Sequence, residues 1–221
     1  MNKIINPGEN PGEIRKYYDE IANAYQTAFA GPPWYEVSKC VDDEEKCEGG
    51  FSDQEVGDFC AKCQLCIKEP AYLGSDLIDR FNEIGESRPS RWYLEFCEEK
   101  VALAGLAWRA NAEQIIDEKY GDSSAVRAWL INQLPFDKEV VWLDEVFANK
   151  RIRPDRNLDN FVAMTRAFMK ELDVPRLAYR TINPQMLSVA ERFGSNASIF
   201  NREKDLPDRR DFVIITEGRQ S

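Results

Sequence analysis

The sequence predicts an α+β fold. Apolar residues recur at helical spacing in some segments and form strand-like runs in others, so helices and strands succeed one another along the chain. Two adjoining runs, Arg91–Glu99 and Lys100–Ala110, are typical of two strands joined by a tight turn. The 221 residues, 43% of them hydrophobic, include 12 Phe, 8 Tyr and 5 Trp, which is enough to bury the core of a single domain spanning 1–221.

The N-terminal third contains two predicted helices. An apolar stripe from Ile14 to Phe29 predicts the first helix, which the prolines of Gly31–Trp34 end because proline lacks an N–H and restricts the residue before it. The lead-in Asn6–Gly12 is rich in Gly and Pro and is predicted to be flexible. Ser75–Ile84 predicts a short second helix with Ser75 as its N-cap.

The C-terminal half alternates between helix and strand. Its last helix has clear boundary signals, because Asn183 is a favourable N-cap, Pro184 suits the first helical position and Gly194 can end the helix. In chain order, the predicted elements are a helix at Ser123–Leu134, a strand at Val140–Ala148, a helix at Asn157–Leu172, a strand at Arg176–Ile182, the helix after Asn183, and strands at Ala197–Phe200 and Asp211–Glu217.

The overall charge argues against two classes of partner. The formal net charge is -10 and the isoelectric point is near 4.8, so long-range electrostatics oppose binding to nucleic acid or to an anionic membrane. The N-terminus lacks the apolar run of a signal peptide, and no stretch reaches the ~18 apolar residues of a membrane span. We therefore expect a cytoplasmic protein whose thiols stay reduced.

Five of the six cysteines are clustered in a chain without histidine. Their spacing is Cys40-x6-Cys47-x12-Cys60-x2-Cys63-x2-Cys66, which is typical of a tetrahedral all-sulfur site for a structural Zn²⁺. We predict Cys40, Cys47, Cys60 and Cys63 as the ligands, two from each arm, and Cys66 as the spare. The surrounding insert, 37–70, is poor in apolar residues, so a bound metal can supply the energy that folds it.

Other chemistries are open to these cysteines. The C-x2-C-x2-C run resembles that of iron–sulfur proteins, although the fourth cysteine is replaced by Pro70. Disulfides would require an oxidising compartment, and redox-reactive thiols are a further alternative. A closed four-sulfur site has no open coordination position, so zinc here is expected to be structural rather than catalytic. Cys97, in a predicted strand, is expected to be a small buried hydrophobe.

In the stretch Trp142–Gly194, a carboxylate on a predicted strand is followed eight residues later by an arginine, a basic turn and a helix. This order resembles the core of a GNAT-superfamily N-acetyltransferase. With the hairpin and Ala24–Glu36, the resemblance covers most of the chain apart from the cysteine-rich insert. It implies a GNAT-like acyl-CoA N-acyltransferase fold, with a central mixed, mostly antiparallel sheet flanked by helices. The matching positions are Glu145, Arg153, Phe161, Val162, Asn183 and Gly194.

The resemblance also implies acetyl-CoA as the co-substrate. Free N–H groups at a helix N-terminus can bind its pyrophosphate, and the basic run Lys150–Arg156 can add positive charge, the alternative for this run being a solvated loop. In this family the central strand separates from its neighbour, so the thioester and the amine meet in the gap. The implied cofactor-binding residues are Phe147, Ala148, Arg153, Arg156, Asn157, Leu158 and Asn183.

Glu145 is the implied general base, which removes a proton from the ammonium group of the acceptor. Along Val140–Ala148 it alternates with Val141, Leu143 and Phe147, so we expect an apolar environment that raises its pKa. The alternative is that Glu145 is an ordinary solvated strand residue.

Several positions depart from the family's pattern and leave two functional hypotheses. Arg156 and Leu158 stand where the family has small residues, and Ala190 stands where many members have a tyrosine acid. One hypothesis is an N-acetyltransferase for a small-molecule or peptide amine, preferably cationic because the protein is acidic. The other is a non-catalytic GNAT-fold protein whose zinc insert is a binding module. Tyr179 is expected to pack in the core, and Trp34 either lines the acceptor pocket or acts as a hydrophobic anchor.

Overall fold

The part of the chain that the structure describes forms one large sheet and one small sheet. The computed structural model describes residues 1–40, 51–121, 124–134, 138–149, 152, 158–201 and 210–217. In chain order the strands are β1 (Asn2–Ile5), the short β2 (Ser38–Lys39), β3 (Phe51–Ser52) and β4 (Glu69–Pro70), then β5 (Ser90–Cys97), β6 (Lys100–Ala110), β7 (Val140–Ala148), β8 (Arg176–Thr181), β9 (Ala197–Phe200) and β10 (Asp211–Thr216).

The large sheet has seven strands in the order β1-β5-β6-β7-β8-β10-β9. Among the described residues, its neighbouring strands pair antiparallel except for β7 and β8, which pair parallel. The sheet is therefore mixed and mostly antiparallel. The three short strands form a separate sheet in the order β3-β2-β4, which belongs to the cysteine-rich insert.

Helices cover both faces of the large sheet. They are α1 (Pro11–Arg15), α2 (Tyr18–Phe29), α3 (Gly74–Ser87), α4 (Ala112–Lys119), α5 (Ser124–Gln133), α6 (Leu158–Glu171) and α7 (Pro184–Glu191). Helices α2 to α5 share one core cluster with three buried tryptophans of the sheet, and α6 and α7 share a second cluster on the opposite face. Within the described ranges, no helix is long and apolar enough to cross a membrane.

Two local predictions are confirmed. The hairpin between β5 and β6 turns at Glu98 and Glu99, whose φ angles of 49° and 65° are those of the type I′ turn that suits the twist of paired strands. Asn183 caps α7, because its side chain accepts a hydrogen bond of 3.0 Å from the backbone N–H of Gln185.

The N-terminal region differs from its prediction. The predicted first helix is two helices, α1 and α2, which are separated at Lys16 and Tyr17. The lead-in Asn6–Gly12 contains local structure: the N–H of Asn10 donates to the carbonyl of Asn6 at 2.8 Å, Pro7 is buried, and α1 begins at Pro11. Strand β1 was not predicted. Four residues are too few to show a strand pattern, and the antiparallel pairing with β5 that defines this strand is visible only in the folded structure.

Two helix starts differ from the sequence prediction. Ser75 is not the N-cap of α3, which begins at Gly74 after Leu73; the Ser75 hydroxyl donates instead to the Asp76 carboxylate at 3.1 Å. Helix α4 was not predicted, although Asn111 forms a capping box at its start.

Candidate functional site

A cleft opens where β7 and β8 separate. Their pairing joins Val141 to Leu177 and Trp142 to Ala178, whereas β7 continues to Ala148. Past these pairs, a cleft of about 250 Å³ lies between the two strands. The strand separation that the family resemblance implies is therefore present.

A β-bulge shapes the floor of this cleft. Leu106 of β6 pairs with Glu145, and the next residue, Ala107, pairs with Leu143, so Asp144 is the extra residue on β7. Consecutive strand residues normally point to opposite faces. The bulge instead lets two neighbouring carboxylates, Asp144 and Glu145, reach the same side of the sheet.

The bulge also reverses the alternation expected along β7. Val141 and Leu143 belong to the core cluster shared with α6 and α7, whereas Phe147 belongs to the cluster on the opposite face. Glu145 lies on the Phe147 side, where it meets Tyr25 of α2. Glu145 therefore lies on the same face of β7 as Phe147 and on the face opposite to Val141 and Leu143.

Two cations from separate helices hold the carboxylates. The Arg80 guanidinium of α3 lies 2.6 Å from Oε1 of Glu145 and 3.3 Å from Oδ2 of Asp144. The Lys119 ammonium, at the end of α4, lies 2.5 Å from Oδ1 of Asp144. Each buried carboxylate thus has a charged partner, as a buried charge requires.

The two carboxyl groups have opposite pKa shifts. The pKa of Glu145 is raised to about 7: burial is the main cause, Arg80 opposes it, and the charge of Asp144 acts in the same direction as burial. Burial acts in the same direction on Asp144, but Lys119 and Arg80 hold its pKa below the usual value. Glu145, with 8% of its surface exposed, can therefore exchange a proton near neutral pH while Asp144 stays charged.

Aromatic residues of α2 and of the insert's edges form one wall. The Tyr25 hydroxyl donates to Oε1 of Glu145 at 3.5 Å, and the Tyr25 ring meets the Tyr72 ring edge-on at 5.0 Å. The Tyr72 hydroxyl donates a short hydrogen bond to the Glu36 carboxylate. Burial raises the pKa of both tyrosines, so both phenols remain protonated. Trp34 also lines this wall, and the Arg210 guanidinium lies 5.1 Å from its ring centroid.

The opposite wall comes from β8 and the start of α7. Asn183 lines the cleft while capping α7. Tyr179 is 2% exposed, and its hydroxyl donates to the Met186 carbonyl at 2.7 Å. The prediction that Tyr179 packs in the core is confirmed.

The structure describes four of the seven predicted cofactor residues. Phe147, Ala148 and Asn183 lie together around a smaller cavity of about 40 Å³ beside the cleft. Leu158 is the first residue of α6 and is half-buried. The other three, Arg153, Arg156 and Asn157, lie outside the described residues.

Three of the four predicted metal ligands meet. The sulfurs of Cys40, Cys60 and Cys63, here called the sulfur centre, all lie within 4.8 Å of one another, and those of Cys40 and Cys63 are 3.7 Å apart. Sulfurs bound to one tetrahedral Zn²⁺ lie about 3.8 Å apart, because each Zn–S bond is about 2.3 Å. The Cys40–Cys63 separation matches this distance, and the three sulfurs are close enough together to bind one metal ion. Cys47 lies outside the described residues, and Cys66 packs beside the centre.

The backbone around the sulfur centre favours thiolate. The backbone N–H groups of Leu65 and Cys66 donate to the Cys63 sulfur and lower the pKa of its thiol, and Leu65 has the larger effect. The N–H of Cys60 donates to the Cys66 carbonyl at 2.8 Å, which closes the loop. Cys97, at the end of β5, is only partly buried rather than fully buried as expected.

Sequence reasoning missed the partners of Glu145. Tyr25, Arg80 and Lys119 lie on three helices, and Glu36 and Tyr72 flank the insert. A cation on a helix is usually solvent-exposed, so no local signal marks Arg80 or Lys119 as a partner of a buried carboxylate.

No protein-family model and no curated protein matches this chain. Solved structures do resemble it at low identity. The C-terminal condensation domain of Ebony, in complex with beta-alanyl-dopamine, is 11% identical, with 99% of each chain covered and a TM-score of 0.50. A GNAT-family acetyltransferase from Streptococcus agalactiae is 11% identical, with 99% of this chain and 96% of that chain covered and a TM-score of 0.49. A polyamine N-acetyltransferase from Drosophila melanogaster is 7% identical, with 97% and 98% covered and a TM-score of 0.46.

Likenesses at such low identity concern the fold alone. The fold is GNAT-like. Its mixed sheet of seven strands, flanked by helices and opened between β7 and β8, confirms the predicted fold class.

Proposed function

We propose that this protein is an acetyl-CoA-dependent N-acetyltransferase acting on a small-molecule or peptide amine. The observation that carries the proposal is Glu145, a buried carboxyl group with a pKa of about 7 at the opening between β7 and β8. A group with these properties suits general-base catalysis at neutral pH. The net charge of -10 favours a cationic acceptor through long-range attraction.

In the proposed reaction, Glu145 accepts the proton that the acceptor's ammonium group loses. The free amine then attacks the thioester carbonyl, a C–N bond forms, the C–S bond breaks, CoA leaves as the thiolate, and the nitrogen loses its second proton to water. Arg80 keeps Glu145 partly ionised, because its positive charge opposes the effect of burial on the Glu145 pKa. Without this partner, the carboxyl group would be protonated and unable to act as a base at neutral pH.

A separate group is needed if the departing thiolate takes up a proton within the cleft. Ala190, where many members of the family have a tyrosine, is fully buried in the core cluster under α6 and α7. Tyr25 and Tyr72 are protonated phenols in the cleft wall and can donate instead. CoA can also leave as the thiolate, since a thiol is far more acidic than an alcohol.

We assign the acetyl-CoA site to the end of β7 and the start of α6. Phe147 and Ala148 border the opening beside Asn183. Free N–H groups at the start of α6, at Leu158, can bind the pyrophosphate, and Arg153, Arg156 and Asn157 immediately precede this helix in sequence.

The insert at 37–70 is proposed to hold one structural Zn²⁺ through Cys40, Cys47, Cys60 and Cys63. The support is that the sulfurs of Cys40, Cys60 and Cys63 lie within 4.8 Å of one another and that those of Cys40 and Cys63 are separated by the distance expected around tetrahedral zinc. A zinc ion bound there would neutralise thiolate charge and cross-link the insert.

Calorimetric titration with CoA tests the proposed cofactor site. The wild-type protein should bind CoA, and Arg153→Ala should bind it about tenfold or more weakly, because a charge-assisted hydrogen bond contributes roughly 1.5–3 kcal/mol. Lys170→Ala removes a cation from the far end of α6 and serves as the control with unchanged affinity. Equal affinity in Arg153→Ala would remove Arg153 from the site. Absence of CoA binding in the wild type would favour the non-catalytic alternative, in which the zinc insert is a binding module.

A further inference from the structure

The cysteine-rich insert and the cleft share a wall. The chain enters the insert after Trp34 and Glu36 and leaves it before Tyr72, and all three residues line the cleft that contains Glu145. The Tyr72 hydroxyl donates a hydrogen bond to the Glu36 carboxylate, which connects the segment before the insert to the segment after it at the cleft. The Tyr72 ring contacts the ring of Tyr25, whose hydroxyl donates to Glu145.

Backbone hydrogen bonds connect this wall to the insert. The N–H of Val37 donates to the Ser52 carbonyl at 3.0 Å, and the N–H of Ala71 donates to the Val37 carbonyl at 3.1 Å. Ser38, in the central strand β2, pairs with Ser52 on one side and Pro70 on the other. Strands of two residues are too short to be stable by themselves. Something else must therefore order this small sheet.

The described part of the insert has little apolar core. Phe59, Leu65 and Ile67 are 66%, 70% and 54% exposed, whereas Cys40 and Cys60 are buried. The cysteines thus form the interior that an apolar cluster provides elsewhere in the chain. A metal bound to them is the available cross-link, and its binding energy would be folding energy for the insert.

We propose that the sulfur centre positions the acceptor side of the cleft. With metal bound, the centre orders the three-stranded sheet and thereby holds Glu36 and Tyr72 beside the catalytic opening. With metal removed, this wall loosens while the seven-stranded sheet stays intact. That the wall faces the acceptor rests on the proposed function; the coupling between the centre and the wall does not. Glu36 is a positioning residue in this scheme, because its contact with Glu145 runs through Tyr72 and Tyr25.

Hydrogen–deuterium exchange of the full-length protein tests the coupling without an acceptor. The zinc-loaded wild type is compared with protein stripped by EDTA and with stripped protein after zinc is added back. Amide protons of Val37 and Ala71 should exchange about tenfold faster or more without metal, because opening of the small sheet exposes them. Exchange in β6 and β7 should not change. Adding zinc back should restore the original rates.

The opposite result has a clear structural meaning. Helix α2 also contacts the wall, through the Glu36 N–H that donates to the Phe29 carbonyl and the Gln26 side chain that donates to the Tyr72 carbonyl, both at 2.8 Å. If Val37 and Ala71 keep their protection after the metal is removed, then α2 alone holds the wall and the proposal is wrong.

Two variants separate positioning from metal binding. Tyr72→Phe should keep the metal but lose the hydrogen bond to Glu36. The fluorescence of Trp34, obtained as the difference from the matching Trp34→Phe protein, should then shift in the direction that metal removal shifts it. Cys97→Ser removes a thiol outside the sulfur centre and should change neither metal content nor Trp34 fluorescence. An unchanged Trp34 signal in both Tyr72→Phe and metal-free protein would contradict the positioning role.

CoA titration of the same samples distinguishes this inference from the proposed function. Equal CoA binding with and without metal, together with faster exchange at Val37 and Ala71, supports both. Failure of the metal-loaded protein to bind CoA would count against the acetyltransferase, while the exchange result would still decide the coupling. Intact CoA binding with unchanged exchange would leave the acetyltransferase standing and overturn the inference.

Discussion

Replacing Glu145 with Gln tests the proposed general base. The substitution keeps the size and shape of the side chain and removes its ability to accept a proton. With an amine substrate identified by screening, kcat should fall by roughly the 10²–10⁴ expected for loss of general-base catalysis. CoA affinity should change little, because Glu145 is assigned to the proton transfer rather than to the cofactor.

The structure also predicts how the rate depends on pH. A base must be deprotonated to act, and burial raises the pKa of Glu145 to about 7. About one tenth of the molecules then carry the charged form at about pH 6 and about nine tenths at about pH 8, so kcat/KM should rise about tenfold over this range. A solvated glutamate would already be charged throughout, and its profile would lack this inflection. Glu145→Gln should lack it as well.

The same pKa shift predicts a change in stability. The folded-state pKa of Glu145 is raised from 4.5 to about 7, so this group contributes stability below about pH 4.5 that is lost as the pH rises through 7. The shift corresponds to about 3 kcal/mol in the free energy of unfolding. Between about pH 4.5 and pH 7, the free energy of unfolding measured with denaturant should fall by more for the wild type than for Glu145→Gln.

A matched control and a refuting outcome complete the experiment. Glu139→Gln removes an exposed carboxylate that pairs with Arg109 just before β7, and it should leave the rate and its pH profile unchanged. If Glu145→Gln acetylates the amine at the wild-type rate across the pH range, Glu145 is not the base.

Three further substitutions have distinct expected results. Asp144→Asn should move the inflection in kcat/KM to lower pH, because the charge of Asp144 raises the pKa of Glu145; an inflection at the same pH or higher would contradict this electrostatic account. Gly105→Ala should lower the free energy of unfolding by about 1–3 kcal/mol, because a Cβ there would lie 2.5 Å from the sulfur of the buried Met164. Unchanged denaturant unfolding would show that the neighbouring side chains move to accommodate the methyl group. Cys60→Ser should reduce bound zinc in elemental analysis from about one equivalent to nearly none, with the melting of the large sheet little changed, whereas Cys97→Ser should retain the metal; iron in the wild type, or zinc retained by Cys60→Ser, would refute the assignment.

Much of the fold could be predicted from local pattern. Hydrophobic periodicity predicted most of the helices and most strands of the large sheet. Each helix packs one apolar face against the sheet, and this leaves a regular spacing of apolar residues in the sequence. Asn183 could be recognised as a cap because capping depends on residues within one turn. Strand β1 and the exact start of α3 escaped prediction, since pairing and packing decide such short or uncapped segments.

The candidate site divides along the same line. Cysteine spacing predicted Cys40, Cys47, Cys60 and Cys63 as metal ligands, and the three of them that the structure describes do lie together, because a chelating loop is local in sequence. The position of Glu145 eight residues before Arg153 likewise came from the chain itself. The bounds of the insert, 37–70, and the residues of the acetyl-CoA site remain predictions.

What only the tertiary structure decided is the environment of Glu145. Its direction depends on a bulge, which arises from the register between β6 and β7 rather than from the residues of β7 alone. Its charge partner, Arg80, is 65 positions away in sequence and arrives on a helix packed against the sheet. The pKa of a carboxyl group is set by burial and by neighbouring charges. Both are properties of the packed molecule, so the sequence by itself determined that a carboxylate stands on this strand, and the fold decided what that carboxylate can do.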